Sequence, residues 1–319
     1  MNIVSIFFVR TLRKLYRIIF GIPDIKFNLS FDSEGQTASD KIKELLLSSK
    51  PLMISRLGFV EINCISRFYY RTRYKWKLSK FITREISEYW YDKETYKTIS
   101  KNAGVFDPSN EILDKYSEIY LNDMKEIDIL GSFTYKENIF HEELKNVIKI
   151  PLGDIEPYYH KSPWSSALEN KTVLVIHPFA KSIENQYKKR DLLFENKLIL
   201  PDFELKTIKA VQSIAGNKPE GFNSWFDALD YMKKQISVIK FDIAIIGCGA
   251  YGLPLAAHIK RMGKKAIHLG GQTQVMFGIK GKRWEDRDFF LNMFNEHWIR
   301  PLPEETPQGY EVVENGCYW

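Results

Sequence analysis

Between residues 172 and 269, short runs with consecutive apolar residues, as at 173–176, 243–246 and 266–267, alternate with stretches of helical period, rather than with apolar residues at every second position. Residues 172–176, 241–246 and 265–269 therefore read as strands buried on both faces, with helices expected over 183–194, 222–239 and 252–262. A parallel sheet meets that demand, because its crossover connections lay helices over either face. The expected fold is α/β, a Rossmann-like parallel sheet covered by helices on both faces. A shorter strand is expected at 198–200, ended by Pro201.

The first half of the chain is less regular. A helix is expected over 39–49, capped by Ser39 or Asp40 and stopped before Pro51. A buried strand at 52–55 leads into 56–58, and a helix starts near Phe59. Residues 81–126 are mostly helical by period, with breaks at Gly104 and Pro108. Strands are expected at 127–130 and 147–150, followed by a Pro- and aromatic-rich loop over 151–165. Three units follow: a basic amphipathic helix and linker (1–26), an N-terminal α/β half (27–165) and a C-terminal Rossmann-like half (166–319).

The N-terminal unit carries Arg10, Arg13, Lys14 and Arg17 at helical spacing, with Phe7, Phe8, Leu12, Leu15, Ile18 and Ile19 around much of the remainder. The charges interrupt any apolar run well before the roughly 20 residues that a bilayer span needs. Two readings stand: an interfacial helix of residues 1–20 on an anionic membrane surface, or a helix docked on its own domain with a solvated basic edge. The full chain has 46 basic and 40 acidic residues, a net charge of +6. So mild a bias suits an anionic ligand or membrane and argues against nucleic acid as partner. Three cysteines without metal-ligand spacing suggest neither a disulfide framework nor a zinc site, and favour a reducing, cytoplasmic setting.

The most specific motif is Gly247-Cys-Gly249-Ala-Tyr-Gly252, which lies between an expected strand and an expected helix. In that context the first glycine permits the turn, the second lets a phosphate approach the backbone and the third allows close helix packing. The helix start then offers amides to an anion. A dinucleotide site would add a carboxylate about 20 residues later to hold a ribose. His268 stands there instead, which weakens a nicotinamide reading. The next expected strand ends at Gly270-Gly271-Gln272, followed by Lys280, Lys282 and Arg283. Glycine amides and three cations beyond a strand end suit a diphosphate. His177, at another strand end, is a further candidate.

The series Ile54-Ser-Arg-Leu-Gly-Phe-Val-Glu61, Leu174-Val-Ile-His-Pro-Phe179, Leu200-Pro201, Ile245-Ile-Gly-Cys-Gly-Ala-Tyr-Gly252 and Ala266-Ile-His-Leu-Gly-Gly271 resembles the GT-D class of bacterial glycosyltransferases. The resemblance spans most of the chain in short islands. It implies a Rossmann-like fold and transfer of a sugar from a nucleotide-sugar donor onto a glycan or lipid-linked acceptor in surface-polysaccharide or capsule synthesis. It also implies a cytoplasmic enzyme, peripheral on the inner face of the membrane. The class motif Arg-Phe-Gly-Asp-Gly-Glu maps Arg56, Gly58 and Glu61 onto matching residues. Its Asp-x-Glu is associated with a metal, Mn²⁺ or Mg²⁺, and the donor diphosphate.

Phe59 stands where that Asp would be. Glu61 alone anchors a hard cation poorly. Transfer without metal, a metal held elsewhere, for instance by Asp154 and Glu156, and loss of activity all stay open on the sequence. Under the transferase reading, Gly58, Gly247, Gly249, Gly252, Gly270, Gly271, Gln272, Lys280, Lys282 and Arg283 bind the donor, while Arg56, Glu61 and His177 serve catalysis. An NAD(P)-binding oxidoreductase and a non-catalytic assembly protein of a glycan-synthesis complex are the alternatives.

Overall fold

A computed structural model of the chain describes residues 3–21 and 29–319. Its centre is one sheet of seven parallel strands: β1 (Leu52–Ser55), β2 (Ile129–Ser132), β3 (Ile148–Pro151), β4 (Thr172–His177), β5 (Glu204–Lys209), β6 (Ile243–Ile246) and β7 (Lys265–His268). Their spatial order is β3-β2-β1-β7-β6-β4-β5. The chain enters at the middle, moves outward through β2 and β3, crosses to β4 and β5, and returns through β6 to lay β7 beside β1. Strands from both sides of the expected boundary at residue 165 thus share one sheet.

The continuous apolar runs have the expected cause. Alternate residues of a strand point to opposite faces, and here both faces are covered. Met53, Leu174, Ile176, Ala244 and Ile246 pack in one core with α3 (Phe59–Arg73), α6 (Asn110–Met124), α9 (Trp225–Val238) and α10 (Gly252–Arg261). Leu52, Ile54, Val173, Val175, Ile243 and Ile245 pack in a second core with α2 (Gly35–Leu47) and α7 (Ala180–Tyr187). The remaining helices used below are α1 (Ile3–Phe20), α4 (Lys77–Ile82), α5 (Lys93–Thr98) and α8 (Arg190–Leu193).

Four local expectations are corrected. The expected strand at 198–200 is a turn, with Ile199 and Leu200 buried in the second core. The strand lies instead at β5, an edge strand of mixed polarity that lacks the apolar run. Helix α2 starts at Gly35, so Ser39 caps nothing; its Oγ accepts the Trp164 amide (2.9 Å) and donates to the Ser162 carbonyl (3.2 Å). The expected helix over 183–194 is two shorter ones, α7 and α8. Helix α9 starts at Trp225 because Ser224 and Asp227 form a capping box there.

Helix α1 docks with the opposite orientation to the one a solvated basic edge implies. Val9 is buried among Tyr70, Phe81, Ile86, Tyr89 and Trp90. Arg13 donates to the carbonyls of Phe81 and Ile86, both at 2.8 Å, and its guanidinium lies 4.2 Å from the centre of the Phe81 ring. Part of the basic edge is thereby inside, and most of the apolar residues are outside.

The return of the chain from β6 to β7 depends on a missing side chain. A methyl on Gly252 would collide with the imidazole of His268, at the end of the adjacent strand. Gly252→Ala should therefore lower stability by about 1–3 kcal/mol, read from the denaturant midpoint. Combining it with His268→Ala should recover most of that loss, whereas purely additive losses would refute this account.

Candidate active site

Because all seven strands are parallel, the segments following β1, β7, β6, β4 and β5 emerge along one edge of the sheet. They enclose a cavity of about 270 Å³. This is where open α/β sheets bind ligands. After β1 come Arg56, Gly58 and Glu61; after β7, Gly270 and Gly271; after β6, Gly247, Cys248 and Gly249. The end of β4 supplies His177 and Phe179, and the segment after β5 supplies Gln212 and Ser213.

The glycines are required by close approach. A side chain on Gly247 would meet Thr273 Oγ1 at 2.6 Å and His177 Cδ2 at 2.7 Å. Gly249 has φ +57° and faces the Ala103 carbonyl, which a methyl would approach to 2.9 Å. Gly270, at φ +61°, lies beside the guanidinium of Arg56. Ala103 itself ends a single π turn, Ile99–Ala103, which reaches the cavity rim together with Asn102. Ser213 ties that rim to the glycine turn, donating to the Gly104 carbonyl (2.6 Å) and contacting the Tyr251 hydroxyl (3.0 Å).

The charges in the cavity are unequal in freedom. Arg283 is paired with Glu314 and lies over the Tyr318 ring, 4.6 Å from its centre. Arg56 has no carboxylate within 4 Å among the described residues. Its guanidinium is 5.2 Å from the centre of the Phe133 ring, and its buried Nε has no hydrogen-bond partner. Glu61 occupies the third position of α3 and folds back over Gly58, where any side chain would collide with its carboxyl group. Burial raises its pKa, opposed by its own backbone amide and by Arg56.

Two histidines under the cavity are neutral. His177 Nδ1 accepts the Phe179 amide at 3.0 Å, which leaves Nε2 protonated as a donor. His268 Nδ1 is 3.0 Å from Ser55 Oγ. Burial pushes both pKa values down to about 3, with Arg56 adding to the effect at His268.

Several sequence candidates lie elsewhere. Lys280 lies over the Phe294 ring, Lys282 is exposed beside the Asn315 carbonyl, and Gln272 accepts from the Tyr158 hydroxyl at 2.5 Å. Gly252 is buried against His268 rather than lining the cavity. Asp154 accepts the Gly35 amide (2.7 Å) and so holds the start of α2. Glu156 Oε2 lies 2.7 Å from the same Tyr158 hydroxyl, and burial raises the Glu156 pKa to about 7. Neither Asp154 nor Glu156 lines the cavity with Glu61. The position of the class Asp is held by exposed Phe59, with Lys136 Nζ 4.6 Å from its ring centre. Among the described residues no three His, Cys, Asp or Glu side chains are grouped to hold a metal ion.

The sequence did not indicate the role of the segment after residue 301. Glu314, Asn315 and Gly316 follow one another at positive φ, a conformation that costs non-glycine residues about 1–2 kcal/mol each. This turn brings Glu314, Tyr318 and Trp319 onto the cavity wall. A side chain on Gly271 would approach Tyr318 Cε1 to 2.7 Å.

No family profile matches the chain, and no curated protein matches it. Two solved structures are similar. One is described as a highly conserved domain of unknown function 1792 with a distinct glycosyltransferase fold, at 12% identity and TM-score 0.41, covering 95% of this chain and 97% of that one. The other is a selenomethionine-substituted domain of unknown function 1792, at 12% identity and TM-score 0.39, covering 96% and 98%.

The neutral histidines have a consequence for stability. Their folded pKa values lie below the ordinary 6.5, so below about pH 6.5 the unfolded chain binds protons that the native state refuses. Stability should fall as pH drops from 7 towards 4, by up to about 1.4 kcal/mol per pH unit for each histidine. His177→Gln should flatten the pH dependence of the urea midpoint. An unchanged slope would mean that His177 is charged in the native state.

Proposed function

We propose that the protein is a glycosyltransferase whose nucleotide-sugar donor sets its diphosphate between the 247–252 turn and Arg56. The observation that carries this reading is Arg56: a guanidinium on the cavity wall, without a carboxylate partner and with a buried, unpartnered Nε, sharing the cavity with Gly247 and Gly249. Desolvating an uncompensated cation is costly unless an anion arrives to meet it. A diphosphate supplies two charges and oxygens in the planar, bidentate geometry that guanidinium groups favour.

In the transfer, the anomeric carbon exchanges its bond to a diphosphate oxygen for a bond to the acceptor hydroxyl oxygen. The electron pair of the broken bond leaves with the nucleotide diphosphate. Arg56 and the Nε2–H of His177 face the oxygen on which charge develops, which is where preorganised donors accelerate a reaction most. The acceptor proton needs a base. Glu61 is the cavity carboxylate without an ion-pair partner, and its raised pKa makes it a stronger base than a solvated carboxylate. In this reading the charge of the departing group is met by Arg56 rather than by a metal, supported by the absence of three grouped His, Cys, Asp or Glu side chains among the described residues.

Calorimetry and thermal-shift measurements against UDP, GDP, CMP, their sugars and NAD, each with Mn²⁺ or with EDTA, test the reading. One nucleotide diphosphate should bind equally well with chelator. Arg56→Ala should weaken it by about ten- to a hundredfold, the value of one charged hydrogen bond of about 1.5–3 kcal/mol. Donor hydrolysis should fall in Glu61→Gln with little change in donor affinity. Binding of NAD alone would make the chain an oxidoreductase, and no nucleotide binding would favour an assembly role.

A further inference from the structure

Helix α1 leaves an apolar face uncovered. Val4, Phe8, Leu15 and Ile19 fall on one stripe at helical spacing, with Thr11 between Phe8 and Leu15, and Phe7 and Ile18 widen it. All six are exposed, Phe7 and Ile18 to 74% and 70%. The docked side is the opposite one, where Val9 and Arg13 fix the helix against the end of α4. Helix position is therefore set by contacts that do not involve the stripe. A contiguous apolar face of this kind on a globular domain marks an interaction surface.

Charge decides between occupants. Lys14 borders the stripe and Arg17 lies between it and the Arg13 side; both are exposed and have no ion-pair partner among the described residues. Helix α1 contains no acidic residue. Its neighbour α4 lies in the run 62–84, which holds seven arginines and lysines and no Asp or Glu; Arg67, Arg71, Arg73 and Lys80 of that run pair with carboxylates outside it. At the start of α4, Trp76 is 82% exposed, and Leu78, two residues on, is exposed as well. Apolar residues edged by free cations, with an exposed tryptophan on the adjoining element, match the layered chemistry of an anionic bilayer surface. A second copy of the same face would bring like charges together. No described helix is long and apolar enough to cross a membrane, so the contact is in the plane of the surface.

We infer that α1 is a pre-docked membrane-surface helix, which rests Val4, Phe8, Leu15 and Ile19 in the headgroup–acyl boundary of an anionic leaflet with Lys14 and Arg17 on lipid phosphates. Because Arg13 ties α1 to α4, the body of the protein is held in a defined orientation rather than on a loose tether. This inference stands whether or not the transferase reading does.

Flotation of the full chain with vesicles of phosphatidylcholine, with and without phosphatidylglycerol, tests it. The protein should float with the mixed vesicles, and much less with phosphatidylcholine alone or in high salt. Phe8→Ser with Leu15→Ser and Ile19→Ser should abolish flotation. Lys14→Glu with Arg17→Glu should weaken it by about tenfold or more. None of these side chains holds the fold, so the thermal midpoint should stay unchanged, which separates lost binding from lost structure. Absence of flotation with either vesicle would overturn the inference. So would a lipid-free dimer that the triple serine variant converts to monomer.

Discussion

The pairing of β1 with β7 holds the cavity together. These strands lie far apart in sequence, yet Leu52, Met53 and Ile54 register with Lys265, Ala266 and Ile267 at the middle of the sheet. The pairing is parallel, so both strands deliver their following residues to the same edge. Arg56 and Glu61 thereby reach the glycines that follow β6 and β7. A hydrogen-bonded backbone ladder buried on both faces gives that alignment little room to slip, since a one-residue shift would exchange the two cores. The separation is also costly to close during folding. The remaining strands cover β1 and β7 on either side, and the helices cover both faces.

Over this frame the glycine turn has two roles at once. Gly247 and Gly252 are small because His177 and His268 lie against them, and those histidines are neutral because they are buried. Gly247 and His177 also line the cavity. Packing demands and ligand-facing chemistry therefore coincide at one corner, so the presence of glycines alone could not distinguish them. Arg56 is what breaks the tie: packing gives no reason for a guanidinium without a carboxylate partner on the cavity wall.

The parallel sheet was legible because buried parallel strands are apolar without interruption, as at β4 and β6. The edge strand β5 was not, because one side of it carries Glu204, Lys206 and other polar residues to solvent. Of the cavity lining, Arg56, Gly58, Glu61, His177 and the glycines directly after β6 and β7 could be picked out because each lies at or after the end of a readable strand. Asn102, Ser213, Glu314 and Tyr318 could not, since they arrive from a π turn, a loop and an irregular tail whose placement depends on tertiary contacts. Lys280 and Lys282 illustrate the opposite error. Their spacing suggested a phosphate-binding loop, but only Arg283 of that run faces inward.

Arg283 and Arg56 face one cavity, and the difference between them bears on its chemistry. Arg283 is compensated by Glu314 and stacked on Tyr318, an arrangement that fixes the C-terminal segment against the cavity and leaves no net charge there. Arg56 is positioned by the backbone after β1 and by an aromatic ring, neither of which neutralises it. The positive charge of the cavity is thus concentrated at one residue, which faces the glycine turn across the central strands. Glu61, held back against the first turn of its own helix, is close enough to feel Arg56 electrostatically but is not paired with it. An anion binding at Arg56 would remove that stabilising influence and raise the proton affinity of Glu61 further. Under the proposed function, donor binding and the basicity of Glu61 are coupled through one guanidinium.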